Sequence, residues 1–233
     1  MARIARIVAP GMPHHIIQRG NRRLQTFFSD TDYIAYIDLM KEWCDARGVE
    51  IWSYCLMPNH VHLIAVPETK ESLMLAIGEA HRRYSRMINF REGWKGHLWQ
   101  GRFASYVLDE IHLLACARYI EMNPVRAKFV KDPTHWTWSS AFAHTKRIGH
   151  GAVLSLILMV AKISFAKIQS LIQLVNKDWA HFLSESITAK MRSRLQKHER
   201  TGRPAGNIQF IKKLEKSLGV TLKLKKPGRK LKK

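Results

Sequence analysis

Residues 49–67 read VEIWSYCLMPNHVHLIAVP. Val49 to Leu56 is rich in β-branched, aromatic and other apolar residues, which favours a strand. Met57-Pro58-Asn59 is a turn signal. His60 to Val66 predicts a second strand, and Pro67 ends it. The neighbouring elements follow from this pair. Upstream, His14 to Gln18 predicts a short strand, followed by the charged turn Arg19-Gly20-Asn21-Arg22. Asp30 to about Arg47 predicts a helix. Its apolar positions Ile34, Ile37, Met40, Trp43 and Cys44 fall at helical spacing, with Asp30 or Thr31 as cap and Gly48 as stop. Downstream, Lys70 to Asn89 predicts a helix that is basic on one face. The glycines and tryptophans of 91–101 predict a loop. Phe103 to Leu108 predicts a strand, and Asp109 caps a helix through about Met122, ahead of Pro124. Trp136 and Trp138 are expected to pack back on the core.

The order is β, α, β, β, α, β, α. The first six elements match the split βαβ pattern. The expected class is α+β: a ferredoxin-like (RRM-like) antiparallel sheet of four strands with helices on one face, plus a helical and basic C-terminal extension. The expected organisation is one domain over 1–145, a helical extension of uncertain role over 146–195 and a basic tail over 196–233. Within the tail Asn207 can cap a helix from Ile208 to Leu218, and a disordered arm is expected from Lys223.

Composition narrows the function. The 233 residues are 46% hydrophobic and 24% charged, which excludes whole-chain disorder and collagen-like structure. Lys+Arg total 39 against 18 Asp+Glu, a net charge of +21. Such self-repulsion points to a polyanionic partner, nucleic acid before an anionic membrane. Residues 196–233 hold 13 Lys+Arg against 2 Glu, so about half of the charge lies there. The cysteines Cys44, Cys55 and Cys116 form no CxxC pair, which argues against a disulfide framework or zinc knuckle and fits a reducing cytosol. The opening segment lacks the apolar run of a signal peptide. The apolar run Gly151 to Ala161 is shorter than the roughly 20 residues that cross a bilayer. The expected location is cytoplasmic and nucleoid-associated, with no membrane partner. Phosphate-loop, dinucleotide, serine-hydrolase and HExxH motifs are absent, so no nucleotide cofactor is expected.

Three constellations carry chemistry. His60 and His62 are two apart on a strand, so both imidazoles share a face while Val61 points to the other. That arrangement suits chelation of one divalent cation, or they are two unrelated surface histidines. Tyr119 and Asn123 are four apart on the RYIEMNPVRA helix. A phenol there can be a nucleophile and an amide oxygen a metal ligand, or the pair is a packing tyrosine and a capping asparagine. Arg82, Arg83, Tyr84, Trp94, Lys95, Trp99, Arg102 and Phe103 interleave rings with cations. Unpaired bases stack on such rings, unless the tryptophans are core. Thr201-Gly202-Arg203-Pro204 and Pro227-Gly228-Arg229-Lys230 form a further electrostatic arm, or simply solvated charge.

Taken together, these residues resemble the REP-associated tyrosine transposases of the HUH superfamily of single-strand DNA transposases. Gly11, His15, Arg19-Gly20-Asn21 and Arg22 match the family's opening G-x(3)-H-x(3)-RGN-x-R pattern. Cys55 to His62 (CLMPNHVH) matches its metal-site strand, and Leu98 to Phe103 (LWQGRF) its WQ-x-RF/Y block. Arg118 to Ala127 matches its catalytic-tyrosine helix. The resemblance covers roughly residues 1–145, and 146–180 match poorly.

The resemblance implies that His60 and His62 hold Mg²⁺ or Mn²⁺ with Asn123 as third ligand, and that Tyr119 attacks the scissile phosphate to leave a 5′-phosphotyrosine. It implies single-stranded, hairpin-forming DNA as substrate and a monomer or homodimer as the working form. The DNA contacts expected are His15, Arg19, Asn21, Arg22 and Arg23 near the opening pattern, and Arg82, Arg83, Trp99 and Arg102 in the central part. Arg126, Arg203 and Arg229 complete them. Two other classes compete: a catalytically silent hairpin-DNA-binding relative, and an RNA binder on the same sheet. The aromatic–glycine signature of the latter is absent.

Overall fold

The computed structural model describes residues 6–146, 175 and 178–222. Four strands, β1 (His14–Arg19), β2 (Val49–Met57), β3 (His60–Pro67) and β4 (Ala104–Val107), form one sheet. Their order is β2-β3-β1-β4, and every neighbouring pair is antiparallel. The tight turn at Pro58-Asn59 forces β2 and β3 to pair. In register, His60 and His62 lie opposite Arg19 and Ile17 of β1, and His15 lies opposite Tyr106 of β4.

Nearly every residue of β3 is buried. Val61, Leu63 and Ala65 share one core with Ile16 and with residues of α1 (Asp30–Ala46) and α2 (Glu79–Arg91). Ile17, Cys55, Met57, Ile64 and Tyr106 share a second core with α3 (Glu110–Glu121). The two helices of the six-element pattern, α1 and α2, thus share one face of this α+β sheet as expected, and α3, from beyond that pattern, covers the other. A strand that is apolar in both directions needs cover on both sides.

The elements differ from expectation in instructive ways. Helix α1 is capped by Ser29, not by Asp30 or Thr31. The Asp32 carboxylate turns back to accept the N–H groups of Phe28 (2.7 Å) and Ser29 (3.2 Å). It also pairs with Arg91, tying the start of α1 to the end of α2. The expected helix over 70–89 divides into a π-helical turn, Met74–Gly78, and α2. Asp109 caps α3 as expected, accepting the His112 N–H at 2.9 Å. That helix breaks at Met122, and a short α4 (Asn123–Arg126) follows.

Glu121, at the end of α3, is fully buried. Its carboxylate accepts from Ser53 on β2 (3.1 Å) and from Ser140 (2.5 Å), which precedes α5 (Ala141–Lys146). It also meets His144 Nδ1 at 2.5 Å and accepts from Trp179 Nε1 at 2.7 Å. Trp179 opens α6 (Trp179–Ser184), so this one carboxylate pins the C-terminal part of the chain to the sheet.

Two more helices follow, α7 (Ala189–Thr201) and α8 (Ile208–Leu218). Asn207 caps α8, accepting from Phe210 N–H at 2.8 Å. Between them Ala205 pairs with the edge strand: its N–H donates to Val107 O at 2.8 Å, and its carbonyl accepts from Asp109 N–H at 2.9 Å. A division at residue 196 therefore cuts through α7, and residues 178–222 pack as part of the same body. No described helix is long and apolar enough to cross a membrane. The 151–161 run, most of the expected helical extension and the arm from Lys223, including Arg229, lie outside the described residues.

Candidate active site

The second core ends in a cluster of rings on the α3 face of the sheet. His15, His60, His62 and Tyr106 project from neighbouring strands, and Tyr119 comes down from α3. The Tyr119 ring centroid is 5.7 Å from that of His62 and 6.3 Å from that of His15. The His60 and His62 centroids are 5.0 Å apart. Sequence spacing had placed the two histidines on one face, and the fold brings the tyrosine to them.

Each histidine is held through Nδ1. His60 Nδ1 lies 2.6 Å from Asn59 Oδ1, an atom that can only accept, so the His60 proton sits on Nδ1 and Nε2 carries the lone pair. His62 Nδ1 lies 2.9 Å from His15 Nε2, and His15 Nδ1 lies 2.8 Å from the Tyr106 hydroxyl. Burial, joined by the charges of Arg19 and Arg126, lowers the His60 pKa to about 3. Burial also holds His62 well below the usual imidazole value and lowers His15 to about 3. All three rings are neutral at pH 7, the state in which imidazole binds a metal.

His15 is completely buried and spends both ring nitrogens on protein partners. Sequence reading expected a DNA contact here; the buried ring instead orients His62. Sequence reading also missed Glu199. This α7 carboxylate lies with His15 and His62 in a cluster whose donor atoms are all within 4.8 Å of one another. Its Oε1 is buried without a hydrogen-bond partner. Burial pushes its pKa up to about 7 against the opposing charges of Arg19, Arg126 and Arg200. An orphaned oxygen beside neutral imidazoles fits a divalent cation. Asn123 lies beyond the break at Met122 and is half-buried. The carboxylate that the fold brings to His15 and His62 is that of Glu199.

Tyr119 is 8% exposed. Burial raises its pKa, the Glu199 charge adds to that, and Arg126 and a hydrogen bond from Gln196 oppose it. The Arg126 guanidinium lies 4.3 Å from the centre of the Tyr119 ring and donates to the Tyr119 carbonyl at 2.5 Å. Its Nη1 is buried without a partner.

The remaining expected DNA contacts divide. Asn21, Arg22 and Arg23 are exposed, and both arginines have positive φ. Gly20 is enforced there, because a Cβ would lie 2.1 Å from Leu24 O. Its N–H donates to Asn59 O at 2.8 Å, and Asn21 N–H donates to Leu98 O at 2.8 Å. The charged turn is thus fastened to the histidine turn and to the WQ block. Arg19, Arg23, Gln100, Glu199 and Arg200 line a cavity of about 460 Å³. Arg82 and Arg83 are exposed on α2 and paired with Glu79. Arg102 is exposed, while Arg203 donates to Leu222 O at 2.5 Å. Trp99 is only 5% exposed and sits among Phe27, Tyr36 and Tyr84. It is a core ring, not the exposed base-stacking surface expected, because the loop that carries it folds onto α2.

A sequence family described as "Transposase IS200 like" matches residues 9–123, a span that holds both histidine strands and ends one turn after Tyr119. Residues 9–123 belong to the IS200-like transposase family. The IS200-like segment contains every ring of the cluster, whereas Glu199 comes from outside it. A solved REP-associated tyrosine transposase bound to a REP hairpin matches at 22% identity with a TM-score of 0.52, covering 67% of this chain and 96% of that one. It supports the same α+β fold. A Deinococcus radiodurans R1 protein assigned as a transposase matches at 20% identity over 52% of this chain and 96% of that one, with a TM-score of 0.36. Among curated proteins none matches.

Proposed function

We propose that this IS200-like transposase is a metal-dependent endonuclease and strand transferase that nicks single-stranded DNA at hairpin-forming repeats through a 5′-phosphotyrosine on Tyr119. One observation carries the reading: the Tyr119 ring stands 5.7 Å from that of His62, beside two imidazoles fixed through Nδ1. The net charge of +21 and the hairpin bound by the solved relative support DNA as the partner.

His60 and His62 would hold Mg²⁺ or Mn²⁺ through Nε2, with the Glu199 carboxylate as oxygen donor. The ion, when bound, polarises the scissile phosphate. Tyr119 Oη passes its proton to water and attacks phosphorus in line, and the same water can return a proton to the departing 3′ oxygen. The bond from phosphorus to the 3′ oxygen breaks, and that oxygen leaves as a hydroxyl after taking a proton. Arg126 braces the tyrosine ring, and its unspent Nη1 suits a phosphate oxygen. A DNA 3′-hydroxyl reverses the step without loss of a phosphodiester, so no nucleotide cofactor is required. Arg19, Arg23 and Arg200 supply the cationic path into the site.

The test is cleavage of single-stranded hairpins from the DNA flanking the gene, with Mn²⁺, Mg²⁺ or chelator. Wild type runs beside Tyr119→Phe on denaturing gels. A covalent adduct that needs both metal and Tyr119 is the expected result. The burial of Tyr119 favours one second reading, a hairpin-DNA-binding relative that does not cut. Tight binding without adduct in any ion supports that reading instead.

A further inference from the structure

The charged turn at 21–23 and the histidine turn at 58–59 are clasped side by side. Gly20 N–H donates to Asn59 O at 2.8 Å, and the Thr26 and Phe27 N–H groups donate to Pro58 O at 2.8 and 3.2 Å. One side chain joins the same two turns. Asn59 Nδ2 donates to the Arg23 carbonyl at 3.0 Å, while Asn59 Oδ1 meets His60 Nδ1 at 2.6 Å.

The two ends of that amide are not interchangeable. A carbonyl can only accept, so Arg23 O requires the NH₂ end of Asn59 and turns Oδ1 toward His60. Oδ1 in turn requires the His60 proton on Nδ1, which leaves the Nε2 lone pair for an ion. With the amide reversed, the NH₂ group would face His60 Nδ1. The imidazole proton would then sit on Nε2, and a protonated nitrogen binds no metal. The carbonyl of Arg23 thus selects the tautomer of a ring it does not hydrogen-bond.

That carbonyl belongs to strained backbone. Arg22 (φ 52°) and Arg23 (φ 63°) are consecutive left-handed residues, and neither is glycine. Such backbone persists only where neighbouring contacts hold it, and it clusters at functional sites. Both arginine side chains are exposed, whereas Asn59 is half-buried between the two turns.

We infer that Asn59 is a positioning residue that transmits the backbone state of the Asn21–Arg23 turn to the metal-binding nitrogen of His60. The turn that offers cations to DNA and the ring that takes the ion then work as one device. The inference rests on the metal reading above, and its test requires no DNA cleavage.

The experiment is Mn²⁺ calorimetry of the full chain without DNA. Arg23→Gly and Arg23→Val remove the same charge, but glycine accepts a positive φ and valine resists it. Arg23→Gly is expected to bind Mn²⁺ at least as tightly as wild type. Arg23→Val is expected to bind about tenfold more weakly, the lower end of the effect of such supporting partners. In an Asn59→Ala background the two are expected to bind alike, because the link is cut. Asn59→Asp offers His60 an acceptor in either orientation, so it is expected to keep the affinity and still abolish the Gly–Val difference.

The second readout is NMR of ¹⁵N-labelled histidine, with His60 assigned by its loss in His60→Gln. Wild type is expected to show His60 protonated on Nδ1. Asn59→Ala and Arg23→Val are expected to shift it toward the Nε2-protonated form, which a merely structural role would not do. A Gly–Val difference that is absent in the parent chain, or that persists when Asn59 is replaced, overturns the inference and leaves the metal site standing. So does an unchanged His60 tautomer in Asn59→Ala. Equal Mn²⁺ binding by wild type and His60→Gln overturns the metal reading itself.

Discussion

His15 Nε2 and His62 Nδ1 are 2.9 Å apart, and the far side of His15 rests on the Tyr106 hydroxyl. The relay fixes the His62 ring and leaves its Nε2 for the site. Partners of this kind typically contribute about 10–100-fold in metal affinity. His15→Gln is therefore expected to weaken Mn²⁺ binding in that range, read by calorimetry, with the circular dichroism spectrum unchanged. Native Mn²⁺ affinity in a folded His15→Gln protein would remove the relay from the account.

Glu199 and Asn123 compete for the place of oxygen donor. Glu199→Gln is expected to lower Mn²⁺ affinity more than Asn123→Ala, because the carboxylate is the group clustered with His62. The opposite order, in the same titration, returns the role to Asn123.

Arg126 stacks on Tyr119 and holds its carbonyl. Arg126→Ala is expected to slow adduct formation by about 10²-fold, the usual size of a lost transition-state donor. Hairpin affinity should change far less. A loss confined to affinity would make Arg126 an ordinary phosphate contact.

Glu121 is a matter of stability. Glu121→Ala strips a buried acceptor from Ser53, Ser140, His144 and Trp179 together. The expected loss is about 3–5 kcal/mol in urea unfolding, as for a broken buried charge network. Trp179→Phe removes one charged hydrogen bond and should cost about 1.5–3 kcal/mol. Equal midpoints for wild type and Glu121→Ala would contradict this role.

Asp32 supplies a pH dependence. Burial alone would raise its pKa, but hydrogen bonds from Arg91 and from the Phe28 and Ser29 N–H groups outweigh it and hold the value below the ordinary one. A depressed folded-state value means that the stabilisation is complete above the unfolded carboxylate pKa of about 3.9 and fades as the pH falls through the lower folded value. Asp32→Asn should therefore be less stable than wild type at pH 7, with the gap narrowing in strong acid, as followed by urea midpoints.

The local patterns were legible in the sequence. The Pro58-Asn59 turn, the His60/His62 alternation, the Asp109 cap and the Asn207 cap all depend on neighbours a few residues away. The unbroken apolar run of β3 carries the signal for the second cover, which α3 supplies. The His15–His62 bond and the arrival of Glu199 depend on pairings between distant segments, and no short motif encodes them. Trp99, a ring beside cations, reads as a DNA contact until the loop that carries it is seen to be covered, and His15, taken as a DNA contact with the opening pattern, is buried in the sheet.

Ala205 joins the edge of the sheet and so fixes where α7 delivers Glu199. During synthesis the ribosome makes both histidines and the tyrosine well before this carboxylate emerges. A nascent chain thus carries the rings without their oxygen donor. On the metal assignment proposed here, DNA chemistry begins only after residue 199 has been made. A premature stop or frameshift between Tyr119 and Glu199 would disable the site itself, not merely the grip on DNA.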